Sequence, residues 1–168
     1  MVKSIVVCVD GSTSGEEALD QSVELSRQLG AALRVISVVP IVNIYYLTGP
    51  VPAVPDEQQV RYHWELVTRY VERARTRGVK DVGFAVLDGS PVDAILDYLD
   101  REPADLLVVG ARGLSRTQRL LLGSVSTALV QQAKCSVMVA KARTHPVSAA
   151  VAAQRQDRKV RVAGAPPA

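Results

Sequence analysis

Five short apolar runs, each closed by turn-forming residues and separated by stretches of helical period, constrain this chain more than any other feature. Residues 4–9 (Ser-Ile-Val-Val-Cys-Val), 33–39, 105–110 and 136–140 are continuous runs rich in β-branched residues, the pattern of parallel strands covered on both faces. In 82–86, Val82, Phe84 and Val86 alternate instead, as in a half-exposed edge strand. Between the first two runs, Asp10-Gly11-Ser12-Thr13-Ser14 offers hydroxyl caps to a helix. Its small or apolar face is Ala18, Leu19, Ser22, Val23, Ser26 and Leu29, and Gly30 stops it. A longer helix is predicted over about 55–77, with Val60, Trp64, Val67, Val71 and Ala74 inward and Arg61, Glu65, Arg69, Glu72, Arg73 and Arg75 outward, closed by Gly78. Ser90-Pro91-Val92-Asp93 reads as an N-cap, an N1 proline and a capping-box-like acid, followed by Ile95, Leu96 and Leu99 as a core face. A fourth helix spans about 124–132. Strands that alternate with helices in this way need crossover connections, so the chain is a single α/β domain, doubly wound, with helices on both faces of a parallel sheet.

The chain has 168 residues, 48% of them hydrophobic and 22% charged, enough for one sizeable core. We expect the domain to occupy 1–142 and the remainder, 143–168, to be a mobile, weakly basic tail without durable period. The net charge of +3 is misleading: five of the 20 basic residues but one of the 17 acids lie from Arg143 onward, which leaves 15 basic against 16 acidic residues in 1–142. A nucleic-acid partner is not expected for such a body. Residues 35–55 carry no charge, yet Pro40, Gly49, Pro50, Pro52 and Pro55 would break any spanning helix, so no membrane role is expected. The apolar run after Lys3 stops at Asp10, too soon for a secretory signal. Cys8 and Cys135 have no CxxC spacing, and His63 and His145 sit in no ligand pattern, which fits a reducing cytoplasm and no catalytic triad or metal cluster.

Chemistry concentrates in Gly110-Ala-Arg-Gly113, nine further residues, then Gly123-Ser124-Val125-Ser126. Gly110 ends a strand, and without Cβ it and Gly113 can take positive φ and let backbone N–H groups close on a phosphate oxygen. Gly123 and Ser124 open a helix whose first N–H groups lack partners and favour negative charge, with the hydroxyls of Ser124 and Ser126 as further donors. Asp10, ending the first strand, would accept from ribose hydroxyls or a base, hold a phosphate-bound Mg²⁺, or cap the following helix. Arg112, Arg116 and Arg119 lie in or beside the nine-residue excursion, either to close over a polyphosphate or as solvated charges. The connection containing Ile41, Val42, Ile44, Tyr45, Tyr46 and Leu47 is apolar enough to cover a base, to meet a partner or to pack on the body.

The spacing Gly-x2-Gly-x9-Gly-Ser, with an early strand ending in Asp10-Gly11-Ser12, resembles the universal stress proteins over residues 3–141. The resemblance implies a five-stranded parallel sheet of order 3-2-1-4-5, with a crevice where strand order reverses. It implies an ATP-binding stress-response protein acting through nucleotide-dependent conformation or partner choice rather than catalysis, slow hydrolysis aside. Cys8, Val9 and Asp10 would line the base and ribose end, the backbone of Val38 would read the adenine edge, and Val109, Gly110, Gly113, Gly123, Ser124, Val125 and Ser126 would take ribose and phosphates. A metal would enter only as nucleotide-bound Mg²⁺ at Asp10. The resemblance also implies a homodimer through the last strand, with Val137, Met138 and Val139. Two departures stand out: Ser37 where many members carry histidine, and Ser136 in place of a frequent proline. AMP or cyclic AMP in the same cleft, a dimeric scaffold without nucleotide, and an ATP pyrophosphatase remain as alternatives. The last requires a serine-glycine-glycine loop that Asp10-Gly11-Ser12-Thr13 does not match. A phosphoacceptor receiver would need a second acid beside Asp10 and gives no reason for the glycines.

Overall fold

The computed structural model describes residues 1–41, 45–46, 49–50, 55–113 and 122–142. Its main sheet consists of β1 (Ser4–Cys8), β2 (Ala32–Pro40), β3 (Val82–Gly89), β4 (Leu106–Gly110) and β5 (Ser136–Ala140), all parallel, in the order β3-β2-β1-β4-β5. The helices are α1 (Thr13–Leu29), α2 (Glu57–Thr76), α3 (Pro91–Arg101) and α4 (Ser124–Gln132). A two-residue antiparallel ladder, Tyr45–Tyr46 against Gly49–Pro50, lies apart from the sheet. No helix among the described residues is long and apolar enough to cross a membrane.

Side-chain alternation along β1 and β2 divides the interior. Ile5, Val7, Val9, Leu33 and Val35 face one way and meet Ala18, Leu19 and Val23 of α1 with Leu66, Val67, Tyr70, Val71 and Ala74 of α2. Val6, Ile36, Leu107 and Val109 face the other way and meet Ile95 of α3 and Leu129 of α4. Strands buried on both faces explain the continuous apolar runs of the sequence. Helix α1 starts where Ser12 accepts the Gly15 amide at 3.1 Å and stops at Gly30, whose φ of 66° is left-handed. Asp20 of α1 meets Arg73 of α2 and Arg77 just beyond its end at 2.7 and 2.8 Å, a partly exposed bridge that orients the helix pair more than it stabilises it.

Three local expectations are corrected. The inward face of α2 is His63, Leu66, Val67, Tyr70, Val71 and Ala74, not a stripe through Val60 and Trp64. Trp64 is half exposed and meets Phe84 of the edge strand at the rim, edge to face with ring centroids 5.4 Å apart. Leu29 is exposed at the end of α1, one position from its glycine stop. Ser90 occupies the N-cap of α3, but its hydroxyl makes no capping bond there; Pro91 and Asp93 remain in the first turn.

Candidate functional site

The order of strands reverses between β1 and β4, and a cleft opens at their carboxyl ends, as it must where crossovers leave in opposite directions. Cys8, Val9, Asp10, Val38, Val109, Gly110, Gly113, Gly123, Ser124, Val125 and Ser126 all line this one cleft. Ile36, Ser37, Pro91, Ile95 and Arg112 complete its wall. Arg116, Arg119, the tail from 143 and the side chains of the 42–47 connection lie outside the described residues.

The turn after β1 is built by side chains. Asp10 Oδ1 accepts the Ser12 amide at 2.9 Å, while the Ser12 hydroxyl caps α1 and donates to the Arg112 carbonyl at 3.2 Å. The cap of α1 is therefore Ser12, not Asp10. Gly11 takes φ 80°, and a Cβ there would collide with the Tyr62 hydroxyl.

Opposite this turn, the three glycines of the motif do three different things. Among the described residues positive φ belongs to Gly11, Gly30, Gly78 and Gly89, so Gly110 and Gly113 do not use the left-handed conformation open to them. Closeness, not conformation, demands these glycines. A Cβ on Gly110 would lie 2.8 Å from the Ser14 carbonyl carbon and 2.9 Å from the Gly15 nitrogen, because β4 ends directly against the first turn of α1. A Cβ on Gly113 would lie 2.8 Å from Asp10 Oδ2, so this glycine lets the post-β4 loop lie beside the carboxylate. Gly123 is the N-cap of α4, and a Cβ there has ordinary room, with Ala111 O nearest at 3.6 Å. No side chain caps α4, which leaves the amides of its first turn without intrahelical partners at the cleft. Ser124 stands exposed at the first helical position. The Ser126 hydroxyl donates to Ala111 O at 3.1 Å or Gly123 O at 3.0 Å, which braces the helix start at the cleft.

The inner end of the cleft is apolar. Cys8, Ile36, Val38 and Val109 from the strands meet Ile95 and Val125 from the helices. Burial first, then the charge of Asp10 and the presence of Cys135, push the Cys8 thiol far above its ordinary range, so it is an uncharged wall and not a nucleophile.

On the other face of the sheet, His63 is buried with Nδ1 2.7 Å from Ser37 Oγ. No local pattern signals this pair, 26 residues apart on different elements. Burial lowers the His63 pKa from the ordinary 6.5, with Asp10 opposing. The folded state then binds fewer protons than the unfolded chain, so this histidine's contribution is complete above 6.5 and is lost as pH falls through its folded value. The unfolding midpoint is expected to climb with pH across that acidic window, and to climb less in His63→Gln; equal slopes in thermal melts would refute the assignment.

Similarity agrees with this geometry. The profile of the universal stress protein family matches residues 1–141. A Staphylococcus aureus protein named as a universal stress protein is 33% identical over 145 residues, covering 86% of this chain and 87% of the relative, and one from Staphylococcus epidermidis matches equally. Among solved structures, the universal stress protein of Lactobacillus plantarum superposes with a TM-score of 0.73 at 21% identity over 83% of this chain and 97% of that one. A universal stress protein in complex with cyclic AMP gives 0.64 at 26% identity over 84% and 98%. With its β3-β2-β1-β4-β5 sheet and the family profile running through the cleft and both of its loops, this chain belongs to the universal stress protein family.

Proposed function

We propose that the cleft binds an adenine nucleotide, ATP foremost, and that the protein acts in stress responses through nucleotide-dependent conformation or partner binding rather than through catalysis. The observation that carries this reading is the meeting, in one cleft, of an apolar slot wide of any charged wall, the Asp10 carboxylate and an uncapped helix start. A slot of Cys8, Ile36, Val38 and Ile95 suits a purine face, and the first-turn amides of α4 suit phosphate oxygens. Asp10 would take ribose hydroxyls or a nucleotide-bound Mg²⁺; bound metal would supply charge neutralisation for the phosphates. Arg112 stands exposed on the rim, where its cation favours the same anion.

Cyclic AMP is the second reading, favoured by the 26%-identical relative whose structure holds it. A single phosphate needs fewer donors, and the α4 start would serve either ligand. The same proposal includes a cytoplasmic homodimer through β5, an edge strand whose half-buried Val137, Met138 and Val139 would pair with a second copy.

Calorimetric titration with ATP, ADP, AMP and cyclic AMP, with and without Mg²⁺, tests the reading. ATP is expected to bind more tightly than AMP as donors at the helix start are filled. Absence of heat from every adenylate at millimolar concentration would overturn it, and a preference for cyclic AMP over ATP would select the second reading.

A further inference from the structure

The main chain of β2 alternates its hydrogen bonding between neighbours. Leu33 N donates to Asp81 O beside β3, and Ile36 O accepts Val9 N from the β1 side, both at 2.9 Å. Odd residues thus face β3 and even residues face β1. Val38 is the next even residue beyond the last β1 pairing, Cys8 with Ile36. Continuing the ladder would place its amide on Val9 O, and among the described residues no such bond is made.

The Val9 carbonyl is held from behind instead. Ser37 Oγ donates to it at 2.5 Å, and His63 Nδ1 approaches the same Oγ at 2.7 Å. A hydroxyl has one proton, and a carbonyl only accepts, so the Ser37 proton goes to Val9 O. His63 must then carry its proton on Nδ1 and donate it to Ser37. The imidazole and hydroxyl form a short relay, both groups buried, that satisfies Val9 O and releases the Val38 peptide to the cleft it lines.

We infer that Ser37, fixed by His63, is a positioning residue for base selectivity: by occupying Val9 O it keeps the Val38 N–H and C=O available as an adjacent donor and acceptor for the ligand. The inference rests on the adenine-nucleotide reading of the cleft. An adenine edge presents an acceptor at N1 beside an amino donor, which matches that pair. A 6-oxo purine presents a donor at N1 beside a carbonyl, which opposes it, and polar groups left mismatched against the base are costly.

The test compares ATP, inosine triphosphate and inorganic triphosphate on the full chain. In Ser37→Ala, Val9 O is freed and recruits the Val38 amide into the sheet. ATP affinity is expected to fall roughly tenfold and the ATP-to-inosine-triphosphate ratio to collapse toward one, while inorganic triphosphate binds as before. Ser37→Thr retains the hydroxyl and is expected to restore the ratio, which mere packing would not do. His63→Leu, read the same way, serves if Ser37→Ala melts before it can be titrated. A ratio unchanged in both Ser37→Ala and His63→Leu would overturn the inference while leaving nucleotide binding intact. A wild-type protein that ignores ATP would instead overturn the reading beneath it.

Discussion

Gly123→Val is expected to raise the dissociation constant for ATP by about 100-fold, on the order of 2.7 kcal/mol, while the protein keeps its fold. The loss follows from place: Gly123 caps α4 at the cleft mouth, and a branched side chain there covers the amides proposed to meet phosphate. Its φ of −73° and ψ of 164° suit any residue, and a Cβ meets nothing closer than 3.6 Å. The structural cost is that of a poor helix cap, about 1 kcal/mol at most. Titration beside a thermal melt separates the two effects. Unchanged ATP affinity in a folded variant would remove the helix start from the binding site.

Gly110→Ala is expected to behave in the opposite way, as a stability variant. Its methyl carbon would have to occupy space within 3 Å of the Ser14 and Gly15 main chain, and backbone atoms cannot swing aside as a flexible side chain does. Either α1 shifts on the sheet or β4 bends. Overpacking of this kind costs about 2 to 3 kcal/mol, which lowers the melting midpoint of a chain this size by roughly 5 to 10 °C. A wild-type midpoint in urea and thermal denaturation would refute the contact. Nucleotide loss in Gly110 variants therefore reports on packing first, and only Gly123 isolates the ligand.

The sequence revealed the fold through its changes of period, because a strand buried on both faces and a helix buried on one leave different apolar spacings. α4 and β5 lie where the pattern placed them, at Ser124–Gln132 and Ser136–Ala140. The strand order came from family resemblance, since spacing alone does not choose among doubly wound arrangements. On α2 the pattern misled: Trp64 is the most apolar-looking marker, but the inward face is wide and includes His63 and Tyr70, whose polar ends find partners. At the cleft, strand-end residues were legible because crossover topology sends them to one place. Ile36 was readable in principle, sharing a face with Val38 by alternation. Ile95 and Pro91 enter only through the way α3 crosses the sheet, and the Ser37–His63 relay depends on a contact between distant elements that no local pattern encodes.

Ser12 leaves one mechanical consequence. A single oxygen both starts α1 and fastens the Arg112 carbonyl of the loop across the cleft. Losing that hydroxyl, as in Ser12→Ala, would therefore untie the loop and the helix start at one stroke.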